Sequence, residues 1–218
     1  MSGRVVQLKS GKYTENFLEE NKLRVMFYEF FKNGFSYPNK DVYRILKEPL
    51  LKKIISEEAF SFLEELPPID ELQVTYTTYF DVVFGGKGCH LREGEYLKNK
   101  MSISKLLLEC KSFYKNFGLY LQPNELPDSL EIELEFMYYL TYLIVDNYGK
   151  EGASQKLTEI LKAQKDFLER HLINFISSLK ECLKQYKELK FYYDLCCFLD
   201  DFLSYDLDFV DMALGKAS

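Results

Sequence analysis

Between positions 134 and 145 only Glu135 and Thr141 interrupt twelve otherwise apolar residues, and this block limits the fold more than any other stretch. A bilayer span needs about 20 apolar residues. The block is too short to cross a membrane and reads as a helix buried at the centre of a helical core. Eleven glycines and six prolines in 218 residues are too few for an all-β chain with a turn at about every tenth residue.

The segments on either side carry helical spacing. Phe17, Leu23, Phe27, Phe30 and Phe31 recur every three to four residues and stop at Asn33-Gly34. Asn39 is placed to cap a second helix that Pro49 breaks. Pro67-Pro68 precedes a third, expected over residues 70–84 and ended by Gly85-Gly86-Lys87-Gly88. Residues 89–99 read as a loop, long enough to suggest function. Leu106, Cys110, Phe113 and Phe117 mark a fourth helix closed by Gly118. Asp128 with Glu131 is placed to open the central helix as a capping box. A long helix is expected over 154–186 and a last one over 189–206. The expectation is an all-α, single-domain bundle of about seven helices over residues 16–218, preceded by a flexible tail over 1–15.

The net charge of -6 argues against nucleic acid as a partner, because phosphate binding needs clustered Lys and Arg. No secretion-signal pattern opens the chain and its five cysteines are an odd number, so no disulfide is expected and a reducing cytoplasm is the expected compartment. His90 and His171, the two histidines, stand in no metal-ligand spacing, so neither a metal nor any other cofactor is expected. His171 reads as a satisfied helix residue beside Phe167 and Phe175. Cys89-His90 is a poor nucleophile-base pair, and the glycine run lacks the phosphate-loop spacing.

Acidic residues are grouped. Glu125, Asp128, Glu131, Glu133, Glu135 and Asp146 fall in a stretch without Lys or Arg, as do Asp194, Asp200, Asp201, Asp206, Asp208 and Asp211. Singly they read as solvated or capping groups; together they make a negative field suited to a cationic peptide. Glu131 and Glu135 also share a helix face, which leaves an all-α metal-dependent enzyme as the alternative, although no E-x-x-H partner helix accompanies them.

Several segments resemble the TorD/DmsD/NarJ family of redox-enzyme maturation chaperones. Tyr76-Thr77-Thr78-Tyr79-Phe80 is similar to its aromatic-x-x-Leu-Phe motif, with Tyr79 for Leu. Cys89-His90-Leu91-Arg92-Glu93-Gly94-Glu95-Tyr96 resembles its Pro-Tyr-Glu-Ser-x-Tyr loop, with Gly94 for Ser. Pro127-Asp128-Ser129-Leu130 through Glu133-Leu134 to Phe136-Met137 resembles Pro-Asp-His-Leu-x-x-Glu-Leu-x-Phe-Met. Ser129 there replaces a His implicated in client binding. Gln164, Phe167-Leu168 and His171-Leu172 follow its Gln-x-x-Phe-Leu-x-x-His-Leu pattern, and Phe191-Tyr192-Tyr193 its closing helix.

The resemblance spans about residues 15–206 and implies a TorD-like fold and a non-enzymatic, cytoplasmic chaperone. The implied partner is the catalytic subunit of a molybdopterin oxidoreductase of the DMSO, TMAO or nitrate reductase type, held by its twin-arginine leader or N-terminus until cofactor insertion. Carried over position by position, the peptide-binding residues are Tyr76, Tyr79, Phe80, Glu93, Tyr96, Asp128, Ser129 and Glu133. An acidic rim would meet paired arginines and an aromatic groove the apolar run after them. A monomer, or a dimer that exchanges segments through a hinge over residues 85–99, is implied, with no membrane insertion.

Overall fold

The apolar block is the middle of α5 (Leu130–Asn147), whose buried side chains include Leu134, Phe136, Met137, Leu140 and Ile144. The computed structural model describes residues 17–54, 57–81, 88–97 and 102–217. The expected tail and Gly85-Gly86-Lys87 lie outside the described residues. Around α5 stand α1 (Phe17–Phe35), α2 (Lys40–Lys47), α3 (Ile69–Tyr79), α4 (Ile103–Asn116), α6 (Ala153–Phe167), α7 (Ile173–Leu183) and α8 (Lys190–Ala217). With α6 and α7 continuous through a π-helical turn at Leu168–Leu172, these make the expected all-α bundle of about seven helices.

Local chemistry sets most boundaries. Asn39 accepts from the amides of Asp41 and Val42 and starts α2; Pro49 follows its end and opens a short 3-10 turn, Leu50–Lys53. Gly118, at φ +77° just past α4, holds the left-handed conformation that a Cβ disfavours.

The aromatic residues make much of the core. Phe27, Phe30, Phe31 and Phe35 of α1 are buried, and Phe27 stacks on Phe202 of α8 at 4.6 Å while Phe60 meets Phe198 edge-on at 5.2 Å. Ring pairs of this kind add about 0.5–1.5 kcal/mol to their area burial.

Four expectations are corrected. The cap of α5 is Ser129, whose hydroxyl accepts from the Ile132 amide at 3.4 Å; Asp128 turns the other way. The helix expected over 154–186 contains the π turn, which adds a residue to one turn and rotates the following face. α8 continues past residue 206 because Phe209 and Val210 extend its buried face. Cys89 and Cys182 form a disulfide, joining the loop before α4 to α7. A separation of 93 residues hides that pairing from any local pattern. No helix among the described residues is long and apolar enough to cross a membrane.

Candidate functional site

The loop over residues 88–97 docks on the entrance to α5 by backbone pairing. Arg92 bridges Ser129, the Glu93 amide donates to the Asp128 carbonyl at 2.9 Å, and the Leu130 amide donates to the Leu91 carbonyl at 3.0 Å. The Asp128 side chain locks the arrangement. Its carboxylate accepts from Arg92 Nη2 and from the Gly94 amide, each at 3.1 Å, and has no solvent exposure. A Cβ on Gly94 would stand 2.8 Å from Asp128 Oδ2, so the tight approach favours glycine. Tyr114 of α4 ties the preceding turn by donating to the Pro127 carbonyl at 2.6 Å.

Beneath the loop lies a buried polar cluster. Glu93 Oε2 is 2.9 Å from His171 Nδ1, and Cys110 Sγ is 3.9 Å from the same nitrogen. Glu133 is fully buried, and neither of its oxygens has a hydrogen-bond donor among the described residues. Burial first, then the neighbouring Glu93 and Asp128, pushes its carboxyl well above the usual range. Burial, with Glu133, Glu93 and Asp128 adding, raises the Cys110 thiol as well.

The aromatic residues form a second group on α3 and α8. Tyr76 meets Phe80 at 5.3 Å and Tyr37 at 5.6 Å, Phe80 meets Tyr192 at 4.8 Å, and the Tyr76 hydroxyl donates to the Phe35 carbonyl at 3.2 Å. Tyr76 and Tyr79 are partly buried, Phe80 fully; Tyr79 packs against Tyr186 at 5.3 Å. Burial and the charge of Glu131, exposed on the first turn of α5, raise the Tyr76 phenol. Tyr96 packs on Phe175 of α7 at 5.5 Å, its hydroxyl buried without a partner among the described residues. Of the eight carried-over residues, Glu93, Asp128, Ser129 and Glu133 thus cluster at the loop and α5, Tyr76 and Phe80 share the aromatic group, and Tyr79 and Tyr96 pack on other neighbours.

Much of the expected acidic field is neutralised. Asp194 pairs with Lys190, Asp200 with Lys180, Asp211 with Lys165 and Asp146 with Lys150. Asp206 is in the core, bound to Arg24 and Tyr28. Glu135, one of the pair weighed for an enzyme, lies near Lys32 at 3.7 Å, and both Glu131 and Glu135 are exposed. Cys89 is bonded to Cys182, which removes it as a nucleophile. Sequence spacing missed Cys110 and His171 as partners of Glu93, since the three come from distant segments; the signal available was His171 in its motif.

The structure is thus an all-α bundle with a motif-bearing loop docked on its central helix. Residues 48–181 match the family model described as nitrate reductase delta subunit. The chain belongs to this family, which is the TorD/DmsD/NarJ-like family of redox-enzyme maturation chaperones. It is 35% identical over 127 residues to the perchlorate reductase assembly chaperone protein of Dechloromonas aromatica, a match covering 57% of this chain and 55% of that one. The chain thus spans about half the length of that curated relative. A protein of Archaeoglobus fulgidus named for redox enzyme maturation has a structure similar at a TM-score of 0.43 and 23% identity, covering 71% of this chain and 88% of that chain.

Proposed function

We propose that this chain is an assembly chaperone that binds the leader or N-terminal segment of a molybdopterin oxidoreductase catalytic subunit in the cytoplasm, before cofactor insertion and export. The observation that carries the reading is the family match across residues 48–181, which includes both the docked loop and α5. The assembly role in the name of the Dechloromonas aromatica relative supports it. In this reading the partly buried Tyr76, Tyr79, Tyr96 and Ser129 meet the client. Phe80, Glu93, Asp128 and Glu133, which are buried, act by holding those surfaces in place. Glu131 beside Tyr76 supplies a carboxylate for a leader arginine next to an aromatic shelf for its apolar run.

Calorimetry on the full chain tests this with two peptides from a catalytic subunit encoded in the same genome, one the leader and one the mature N-terminus. Binding of one of them, weakened by about 2 kcal/mol in Tyr76→Ala, is expected. Failure of both to bind a folded chain, together with no catalytic subunit co-purifying from the host, would refute the reading.

A further inference from the structure

We propose that Glu93, Cys110, Glu133 and His171 form a site for one divalent transition ion of the zinc(II) or iron(II) kind. One ligand atom each from Glu93, Cys110 and His171 lies within 4.8 Å of the other two, and all three residues are buried. In a tetrahedral site with metal-ligand distances of about 2.0–2.3 Å, ligand atoms stand roughly 3.3–3.8 Å apart. The Cys110-His171 separation of 3.9 Å is near that, and the Glu93-His171 contact of 2.9 Å needs to open by only a few tenths of an ångström.

Glu133 supplies the second observation. It is completely buried, both oxygens lack a donor among the described residues, and its carboxyl lies within hydrogen-bonding reach of Glu93. Arg92, the adjacent cation, is committed to Asp128. A buried carboxyl without a donor that faces a second carboxyl is relieved by a proton or by a cation between them. A thiol and an imidazole beside them suit a borderline transition ion, whereas calcium and magnesium prefer all-oxygen sites.

The surroundings fit as well. His171 sits on the π-helical turn, a distortion frequent at functional sites. With Nδ1 on the ion, Nε2 carries the proton and faces Glu109 Oε1 at 3.6 Å, while Arg170 holds that carboxylate. A ligating histidine commonly meets such an outer carboxylate. Glu109 and Arg170 also line a surface depression of about 410 Å³. On binding, the Cys110 S–H and Glu133 O–H bonds break, sulfur–metal and oxygen–metal bonds form, and both protons leave to solvent. The ion would join the docked loop, α4, α5 and the π turn, whatever client the chain serves.

The test is titration of chelator-treated full-length chain with cobalt(II), without reductant so that the Cys89–Cys182 disulfide stays closed, followed by zinc(II) competition. One cobalt per chain is expected, with a thiolate-to-metal charge-transfer band and the visible absorption of a tetrahedral site. Cys110→Ser should abolish the charge-transfer band. Glu133→Gln should weaken binding by at least ~10-fold, and Glu109→Gln by about 10–100-fold with the spectrum unchanged in shape. Absence of the band in folded chain at excess cobalt overturns the site and assigns the cluster a shared proton. So does a band that persists in Cys110→Ser. Should that variant not fold, undiminished affinity in Glu133→Gln counts equally against the site.

Discussion

Asp206 stands in an acidic stretch of the sequence without Lys or Arg, yet it lies at 0% exposure in the core, and its replacement gives the sharpest test of the packing. Its carboxylate receives Arg24 through Nε, Arg24 Nη2 at 3.1 Å, and the Tyr28 hydroxyl at 2.6 Å. Arg24 also donates to Asn21 and Gln164, and lies 4.9 Å over the Phe209 ring. Burial opposes the charge on Arg24, but Asp206, with Tyr28 and Tyr205 adding, more than offsets it, and the guanidinium pKa is raised. Asp206→Ala leaves that buried cation unpaired and the Tyr28 hydroxyl without its acceptor. Breaking one side of a buried pair costs about 3–5 kcal/mol, roughly a fifth or more of the ~5–15 kcal/mol that holds a domain folded. With an m-value of about 2–3 kcal/mol/M in urea, the midpoint should fall by roughly 1–2 M. The combined variant Arg24→Met, Tyr28→Phe, Asp206→Leu removes the charges together and should recover most of that loss. A loss below ~1 kcal/mol for Asp206→Ala, or a combined variant no better than the single one, would refute the account of a paired, desolvated charge.

Reducing the Cys89–Cys182 bond releases a loop closed over 93 residues of sequence separation; the chain-entropy contribution is at most about 4.7 kcal/mol. Thermal melting with and without reductant should show a lower Tm when reduced, and an unchanged Tm would count against the tether. Tyr28, Tyr114 and Tyr192 have phenol pKa values raised first by burial. Such groups favour the folded state below the ordinary tyrosine pKa of about 10, and stability should fall above it by up to ~1.4 kcal/mol per pH unit per buried phenol. Phenolate absorbance should then show these rings ionising only with unfolding, and their titration in the folded chain at ordinary pH would contradict their burial. Asn39→Ala removes the acceptor for two α2 amides and should cost about 1 kcal/mol by urea denaturation; no change would deny Asn39 the cap. Asp128→Asn keeps the shape but weakens the hold on Arg92. It should loosen the loop, read as faster amide exchange at Glu93 and Gly94, and exchange no faster than in the parent chain would show that another contact holds the loop.

What the sequence made legible follows from the range of each interaction. The central helix, the Asn39 cap, the break at Pro49 and the left-handed Gly118 are set by neighbours within a few positions, so spacing reveals them. Asp206, Cys89 and the π turn depend on partners from other helices. A charge next to no basic residue in sequence looks solvated until α1 brings Arg24 against it. The resemblance implies a client-binding role for Ser129; in the fold its side chain caps α5, because the Asp128 side chain is drawn to Arg92 and Gly94.

The same distinction bears on what a family signature encodes here. Glu93, Asp128 and Glu133 stand in the motifs that carry the resemblance, yet each is buried, and the contacts seen at Glu93 and Asp128 run to the loop, His171 and the α5 entrance. Burying carboxylates is costly unless each is paired; Asp128 meets that need by fixing the loop on α5 through Arg92 and Gly94, while Glu131 stays exposed on the first turn of α5 with its charge felt at Tyr76. Client choice would then reside in the exposed positions around that fixed frame, where a substitution changes contact without unfolding the chain. Changing Glu131 to Lys should therefore alter affinity for an arginine-bearing peptide while leaving the urea midpoint nearly unchanged. The opposite pattern, a lower midpoint with unaltered affinity, would place Glu131 in the frame and not on the binding surface.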